Sequence, residues 1–358
     1  MSSPDPMRAV VERYHDGTKH HFRAFARSLG YLDWASQPRP FRAFAGSLEF
    51  PLYPAPSAPA GEDALPFKNY EELFEAAGEP RALSATAVGD VLRHALGLSA
   101  WKQYGASRWA LRVNPSSGNL HPTEAYVVCG SMAGLADVPA VYHYAADRHA
   151  LELRCSFETT AWRSACDDRP DVALIALTSI HWREAWKYGE RACRYCQHDL
   201  GHAIAAVRIA AALAGWRAAL LPAWSHRAIA SLTGIDRDED FFEAEREEPG
   251  CLLALGANGS LLPFRDAGGL VEAVRAGRWS GRASQLSEDH VEWTFIDEVA
   301  RATEDQGAYS APAKPEPRAL RRARLDRTAP LDARELLLQR RSALAFDGQS
   351  GIARSDFI

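Results

Sequence analysis

Three short apolar runs, each flanked by polar or turn-forming residues, most constrain what this chain of 358 residues can fold into. They lie at residues 125–129, 171–180 and 251–255. Apolar runs of this length, rich in Val, Ile and Leu, are typical of strands buried inside a sheet. A long helical pattern over residues 188–215 leads into a further apolar segment, WRAALLP, which we interpret as another strand. The chain is therefore predicted to be a globular mixture of helices and strands.

Weaker patterns predict two further helices and a hairpin. Ser84 precedes an amphipathic segment, ATAVGDVLRHALGL, and is a suitable N-cap for a helix there. A shorter helix is predicted within residues 69–80. The segment VYHYAADRHALEL alternates on either side of Ala146 and Asp147, which predicts a hairpin that turns at these two residues.

The composition divides the chain into four segments. Residues 1–64 show little periodic pattern and end in a Pro-rich stretch, which favours an N-terminal extension with a semi-rigid linker. Residues 65–262 hold the patterns described above and form the predicted main domain. Residues 263–330 are charged and Pro-containing, and we predict a linker there. Residues 331–358 begin a new helical pattern that then stops.

Charge and cysteine content exclude several classes of protein. With 41 Lys and Arg against 46 Asp and Glu, the chain lacks the basic character that nucleic-acid binding requires. Six irregularly spaced cysteines in a chain of this length indicate reduced thiols. The N-terminus has no secretory signal pattern, and Arg208 and Arg217 interrupt the most apolar region, 203–224. We therefore expect a cytoplasmic protein without membrane or nucleic-acid partners.

A cluster of turn-forming residues, PSSGN at 115–119, precedes the first apolar run. Backbone N–H groups and small hydroxyls in such a turn can bind an anion or the polar edge of a ring. Pro115, Ser116, Ser117 and Asn119 are therefore candidate binding residues. On composition alone, however, such a cluster is more often simply a turn.

Two other groups of side chains are candidates for chemistry. Arg340, Arg341 and Ser342 follow a short amphipathic helix, and paired guanidiniums with a hydroxyl suit bidentate phosphate binding. The alternative is a solvated basic helix end, which the helix dipole favours.

Lys187 and Tyr188 lie between a strand and the long helix, where a partly dry pocket can tune them for proton transfer. The alternative is an exposed Lys and a half-buried Tyr, which spacing alone favours.

Metal and nucleotide motifs receive little support. Cys193 and Cys196 lack a second cysteine pair, and His198 and His202 share a helical face without the adjacent Glu of a zinc protease. We therefore predict no metal site. The glycine-rich patterns GxGxxG and GxxxxGK[ST] are absent, so a Rossmann or P-loop nucleotide site is not predicted.

Five segments together resemble the nitroreductase superfamily and, within it, the SagB-type dehydrogenases. They are YHDGTK at 14–19, RVNPSSGNLHPTEAYVV at 112–128, VYHYAADRHALEL at 141–153, WREAWKYGERACRYCQHDLGHA at 182–203 and EEPGCLLALG at 247–256. They cover most of residues 10–260 in the order of that family. The later segment QRRSALAFD resembles the opening of a second nitroreductase unit, as in tandem members of the family.

The resemblance implies an α+β, nitroreductase-like fold with a central, mostly antiparallel sheet wrapped by helices, and FMN as the cofactor. In this family the flavin lies between two units. Carried over to this chain, the ring would be lined by Pro115, Ser116, Ser117 and Asn119, and the phosphate held by Arg340, Arg341 and Ser342. Arg112, just before the loop, is a weaker candidate for flavin contact.

The resemblance also implies catalytic residues and partners. Lys187 and Tyr188 match the pair that supplies acid/base chemistry in members that oxidise thiazolines and oxazolines in peptides. Residues 331–358 would then be the incomplete start of a second unit in a truncated tandem protein. A flavin between units implies a homodimer or an intramolecular pseudo-dimer, with a small-molecule or peptide substrate and NAD(P)H as a candidate hydride donor.

Three functions stay open at this point. The first is an FMN-dependent oxidoreductase of SagB type, which transfers hydride between substrate and flavin and includes azoline-to-azole oxidation of a peptide. The second is a broad NAD(P)H-dependent nitro or quinone reductase, which would not need Lys187. The third is a flavin-binding or structural relative without turnover.

Overall fold

The computed structural model describes residues 5–26, 29–52, 68–74, 79–169, 171–257, 267–308 and 332–351. Nine α-helices lie in these ranges: α1 (Pro6–Thr18), α2 (Ala85–Ala95), α3 (Thr159–Ala165), α4 (His181–Tyr188), α5 (Ala192–Leu213), α6 (His226–Thr233), α7 (Ala267–Arg275), α8 (Thr294–Ala302) and α9 (Ala333–Gln339). The strands in the same ranges are β1 (Phe44–Ala45), β2 (Glu49–Pro51), β3 (Leu98–Tyr104), β4 (Ser107–Arg112), β5 (Thr123–Cys129), β6 (Ala140–Ala145), β7 (Ala150–Ser156), β8 (Val172–Ser179), β9 (Arg217–Leu220), β10 (Glu248–Gly256), β11 (Arg278–Trp279) and β12 (Arg282–Ala283).

Eight strands form one central sheet in the order β11-β7-β6-β5-β8-β10-β9, with β2 also pairing to β7. The pairings in this sheet are antiparallel. The three apolar runs of the sequence become its centre, β5, β8 and β10, close to the predicted bounds. The hairpin of β6 and β7 and the helix α2, which Ser84 caps through its hydroxyl, are also as predicted. The α+β fold with a mostly antiparallel sheet and surrounding helices is therefore confirmed.

Both faces of the central sheet are covered by helices. Because side chains alternate along a strand, Val127 and Leu253 pack with α2 and α5 on one face. Val128 and Leu252 pack on the other face with residues of α3, α6 and α7. Burial on both sides explains why the central strands appear in the sequence as continuous apolar runs.

The helix predicted over residues 188–215 begins later than expected. The chain ends α4 at Tyr188, and Gly189 follows with φ 55° and ψ −134° before a short 3₁₀ turn leads into α5. Only glycine adopts this backbone conformation without strain. A Cβ at Gly189 would also lie 3.1 Å from Trp293 and 3.3 Å from Leu29. The break therefore separates Lys187 and Tyr188 from the long helix and places them at the end of a helix of their own.

Segments predicted to be an extension and a linker contact the main domain. Strand β2 pairs with β7, and Phe44 is 2% exposed inside the sheet core. Helix α1 packs against α8, and its Tyr14 hydroxyl donates a hydrogen bond to the carbonyl of Glu190 at 2.6 Å. These elements were not predicted from the sequence.

Other parts of those segments lie outside the described residues. They are most of the Pro-rich stretch (53–67), much of the predicted linker (309–331) and the end of the predicted second unit (352–358). The contacts of β2, α1 and α8 cross the predicted boundaries at residues 64 and 263. The division at 1–64, 65–262, 263–330 and 331–358 stays a prediction.

A buried network of charged side chains joins the middle of the sheet to α4. His143 on β6 makes 2.8 Å hydrogen bonds to Glu124 on β5 and to Glu152 on β7. The Arg183 guanidinium on α4 donates to Glu124, and Arg112 lies 3.9 Å from the same carboxylate. Burial opposes charge on the imidazole, but the two carboxylates outweigh it and raise the pKa of His143. Burial likewise opposes charge on Glu124, and the cations around it, Arg183 foremost, lower its pKa.

Replacement of Glu124 by Gln is expected to destabilise the fold strongly, because it leaves buried cations without their carboxylate. Removing one partner of a buried ion pair costs about 3–5 kcal/mol. The pKa of Glu124 is lower in the folded protein than in the unfolded chain. The loss of stability in the variant should therefore be complete above the unfolded-state pKa and become smaller as the pH falls below it. Urea denaturation across the acidic and neutral range measures this.

The control is Glu12→Gln, which breaks the exposed pair of Arg8 and Glu12 on α1. An exposed pair of this kind contributes about 0–1 kcal/mol. Equal destabilisation by the two substitutions would contradict a structural role for the buried network.

Candidate functional site

The PSSGN loop connects β4 to β5 in a left-handed backbone conformation. Gly118 and Asn119 have φ angles of 60° and 61°, and His121 has φ 53°. Non-glycine residues rarely adopt such angles, and they do so where the surroundings enforce them. Here the Ser116 hydroxyl accepts the backbone N–H of His121 at 2.8 Å, and the Asn119 amide donates to the Ala110 carbonyl at 2.9 Å. The loop is therefore held in one shape by its own polar side chains.

Asp199 on α5 anchors the middle of this loop. Its carboxylate accepts the backbone N–H of Ser117 at 3.0 Å and the hydroxyl of Ser117 at 2.9 Å. Burial raises the pKa of Asp199, while the bonds from the loop act in the opposite direction. The sequence analysis assigned no role to this residue, although it lies inside the segment that carries the resemblance.

Lys187 and Tyr188 lie directly against the loop. A Cβ on Gly118 would be 2.7 Å from the Tyr188 hydroxyl and 3.2 Å from Cδ of Lys187. The Lys187 ammonium lies 5.6 Å from the centroid of the Tyr188 ring and makes no hydrogen bond or ion pair with the described residues. Burial, and then the nearby Glu184, raises the pKa of Tyr188 to about 12. The structure thus brings together the predicted ring-binding loop and the predicted acid/base pair.

Glu184 is a further titratable group here that the sequence analysis missed. It lies one turn before Lys187 on α4 and is 0% exposed. Neither of its carboxyl oxygens has a hydrogen-bond partner among the described residues. Burial and the charge of Asp199 raise its pKa to about 9, against the opposing effect of Lys187. An acidic residue in a helix looks exposed in a sequence, so no pattern distinguished it.

The predicted phosphate-binding residues lie near the start of the same loop. Helix α9 packs against α2 and β3, and Arg340 after it donates to the carbonyl of Val113 at 3.0 Å. Arg341 donates to the carbonyls of Leu338 and Arg340, each at 2.7 Å. In the described part of the chain no carboxylate forms an ion pair with either guanidinium. Ser342 follows and is exposed.

Arg112 is placed differently from the other predicted flavin contacts. Its side chain is buried and donates to the carbonyls of Thr123 at 3.2 Å and Pro40 at 2.8 Å. Its charge belongs to the network around Glu124. A contact with flavin stays a prediction for Arg112, and this geometry does not favour it.

The described residues form neither a metal-binding cluster nor a membrane-spanning helix. No group of three or more His, Cys, Asp or Glu side chains there is arranged to hold a metal ion. Cys193 and Cys196 are buried on α5, where burial raises the pKa of both thiols. No described helix is long and apolar enough to cross a membrane.

Comparison with known families identifies the fold family. The profile described as "Nitroreductase family" matches residues 62–256, which is more than half of the chain. The chain belongs to the nitroreductase family. Members of this family generally bind a flavin, FMN. No curated protein sequence matches the chain.

One solved structure agrees with this assignment at the level of fold, and two others are less similar. A putative nitroreductase from Anabaena variabilis shares 22% identity with a TM-score of 0.54, over 85% of this chain and 55% of that one. The chain thus spans about half the length of that relative. A putative nitroreductase from Ralstonia eutropha has 14% identity and a TM-score of 0.40, over 64% of this chain and 98% of that one. The E. coli microcin synthetase McbBCD complex with truncated pro-MccB17 has 18% identity and a TM-score of 0.37, over 70% of this chain and 93% of that one.

Replacement of Gly118 by Ala is expected to displace Tyr188 and Lys187 and to strain the loop. The added Cβ would collide with the Tyr188 hydroxyl, and a left-handed alanine costs about 1–3 kcal/mol. Urea denaturation measures the loss of stability, and near-ultraviolet circular dichroism reports the changed tyrosine environment.

Gly201→Ala is the matched control, because it lies within α5 with open space around its Cβ position. An alanine there should stabilise the helix by about 0.5–1 kcal/mol. A Gly118→Ala protein as stable as this control would show that the loop does not press on Tyr188.

Proposed function

We propose that this chain is an FMN-dependent oxidoreductase, and that within the family it is a dehydrogenase of SagB type. The observation that supports this most is the proximity of three groups in one chain. The loop at 115–119 contacts Lys187 and Tyr188, and Arg340 and Arg341, which form no ion pair with a described carboxylate, lie near the start of the same loop.

The residues present fit FMN at its phosphate end. Arg340 and Arg341 are adjacent cations, and burial together with Arg341 lowers the pKa of Arg340. No carboxylate among the described residues compensates them, so a dianionic phosphate would supply the missing charge. Ser342 would add a hydroxyl donor. The polar loop at 115–119 would lie along the ring, with Pro115, Ser116, Ser117 and Asn119 as its contacts.

Acid/base chemistry would come from the end of α4. FMN, when bound, supplies an acceptor or donor of hydride. Lys187 has an amine without a partner in the described part of the chain, and Tyr188 holds its proton to high pH. A lysine amine in its neutral form can remove a proton from the carbon next to the one that exchanges hydride, and the Tyr188 hydroxyl can donate a proton. In a thiazoline or oxazoline this pair of steps gives the aromatic azole.

We also propose that a second copy of the chain, or a second unit of the same kind, completes the flavin site. A site shared between units is expected from the resemblance of the sequence to tandem members of the family. Light scattering with and without added FMN measures the oligomeric state, and an increase in dimer on addition of FMN is the expected result.

Replacement of both Arg340 and Arg341 by Ala is expected to weaken FMN binding by about a hundredfold to ten-thousandfold, because charged hydrogen bonds contribute about 1.5–3 kcal/mol each and two of them are lost. Riboflavin lacks the phosphate, so its affinity should be nearly unchanged. Fluorescence titration of the two flavins measures both constants.

A control with the same change in net charge is Arg8→Ala with Arg275→Ala, which removes two exposed arginines away from the site. It should preserve the preference for FMN over riboflavin. If the wild-type protein binds neither flavin, the proposed cofactor is wrong for this chain.

Replacement of Lys187 by Ala is expected to lower azoline oxidation by about a hundredfold to ten-thousandfold, the usual contribution of a general acid or base. FMN binding should be retained, since the proposed phosphate contacts lie on another segment. Steady-state turnover of a thiazoline peptide by FMN-loaded protein measures this, with the exposed Lys102→Ala as control.

Turnover of a quinone with NAD(P)H separates the competing functions. A Lys187→Ala protein that loses azoline oxidation but keeps quinone reduction supports the acid/base assignment. Unchanged azoline turnover contradicts it and favours a broad reductase. Bound flavin that no donor reduces would indicate a flavin-binding relative without turnover.

A further inference from the structure

Glu184 is a buried carboxyl that nothing in the proposed reaction so far uses. It lies three residues before Lys187 on α4, a spacing that places two side chains on the same face of a helix. Both carboxyl oxygens are buried and lack a hydrogen-bond donor among the described residues. Among the described residues, Lys187 is the cation that lowers the pKa of Glu184, and the two are not in ion-pair contact.

None of the described groups around Glu184 donates a hydrogen bond to its carboxyl. Asp199 and Cys196 on α5 interact with it electrostatically, as do Lys187 and Tyr188 on its own helix. The 3₁₀ turn Ser117–Asn119, which also packs on α4, contributes no titratable side chain. Among the described residues, Asp199 is the carboxylate whose charge acts on Glu184, and the loop already donates an N–H and a hydroxyl to it.

Two neighbouring buried carboxyls cannot both be ionised without a large cost, and the one with hydrogen-bond donors keeps the charge. Asp199 has donors from Ser117, whereas Glu184 has none. Asp199 is thus the carboxylate of the pair, and Glu184 is the carboxylic acid, in line with a pKa raised to about 9.

We propose that Glu184 is a positioning residue that controls the charge and reach of Lys187. As a carboxylic acid it leaves the Lys187 ammonium without a counterion, free to approach a bound substrate. As a carboxylate it would pair with the ammonium across one helical turn, hold it charged and withdraw it from the loop. The proton lost in this change goes to solvent, and no bond other than O–H is broken.

The inference extends the proposed function, and only its consequence for turnover rests on that function. Loss of activity at alkaline pH would then follow the ionisation of Glu184. In Glu184→Gln the side chain cannot ionise, so the alkaline decline near about pH 9 should disappear from the pH profile of kcat.

Titration of Lys187 itself tests the inference without flavin or substrate. The chain has only five lysines, Lys19, Lys68, Lys102, Lys187 and Lys314, so protein labelled with ¹³Cε-lysine gives few NMR signals. A Lys187→Arg protein identifies the signal of Lys187. In the wild-type protein this signal should shift as Glu184 ionises.

Glu184→Gln should lack this shift, because its side chain cannot ionise. Glu158→Gln, at an exposed position before α3, should leave the shift unchanged. Persistence of the shift in Glu184→Gln would overturn the inference, as would its loss in the Glu158 control.

Two further measurements keep the test decisive if Glu184→Gln does not fold. Asp199→Asn removes the charge that opposes ionisation of Glu184, so the shift of the Lys187 signal should occur at lower pH. Infrared spectroscopy of the wild-type protein should detect a protonated carboxylic acid at about pH 7 that is lost by about pH 10. Absence of that band overturns the inference even if FMN binds and turns over. If the Lys187 signal shifts as expected but the protein does not bind FMN, the inference stands and the proposed function is wrong.

Discussion

The buried charge network around Glu124 determines how the elements of this fold meet. A cation buried in a sheet is tolerated only where a carboxylate accompanies it. His143 joins the carboxylates of β5 and β7 across β6, and Arg183 extends the same group to α4. Glu152 also accepts the backbone N–H of Phe44, so the N-terminal segment is fixed to the same point. This one set of paired charges therefore connects strands β5, β6 and β7 with helix α4 and with the N-terminal segment at Phe44.

The candidate site depends on this network through neighbouring positions of α4. Arg183 is paired with Glu124 and also donates to the carbonyl of His121 at 2.8 Å, which holds the C-terminal end of the loop. Glu184, the next residue, faces α5 instead and has no hydrogen-bond partner in the part of the chain that the structure describes. Of two adjacent residues on this helix, Arg183 is thus a paired cation and Glu184 is an acid without a described partner. The paired arginine fixes the position of the helix, and the unpaired acid lies beside Lys187, where a change of charge has most effect.

The sequence was most informative where a pattern reflects burial alone. Strands β5, β8 and β10 are covered on both faces, so their apolar runs were recognisable without knowledge of their neighbours. Helix α1 and the short strand β2 were missed because they are stable through contacts with α8 and β7, which lie far away in sequence. The break at Gly189 was missed because one glycine in a helical pattern does not show its left-handed backbone, nor that Trp293, more than a hundred residues later, lies against it.

The same distinction applies to the site. The loop at 115–119 and the pair Lys187 and Tyr188 were recognised by motif, and the structure brings them into contact. Asp199 and Glu184 were not assigned, because their behaviour depends on which donors reach a buried carboxylate. Arg112 was considered for flavin contact because of its position before the loop, yet its guanidinium is used by the carbonyls of Thr123 and Pro40.

The position of Arg340 and Arg341 follows from packing that involves neither residue. Asp332 caps α9, and the next backbone N–H, that of Ala333, donates to the carbonyl of Lys68. Asp90 on α2 accepts a hydrogen bond from Arg334 in the first turn of α9. The helix is therefore attached to the main domain before its C-terminal end reaches Val113. Two guanidiniums held in place in advance would lose little conformational freedom on binding the proposed phosphate, and this would make binding stronger than for the same residues on a free chain end.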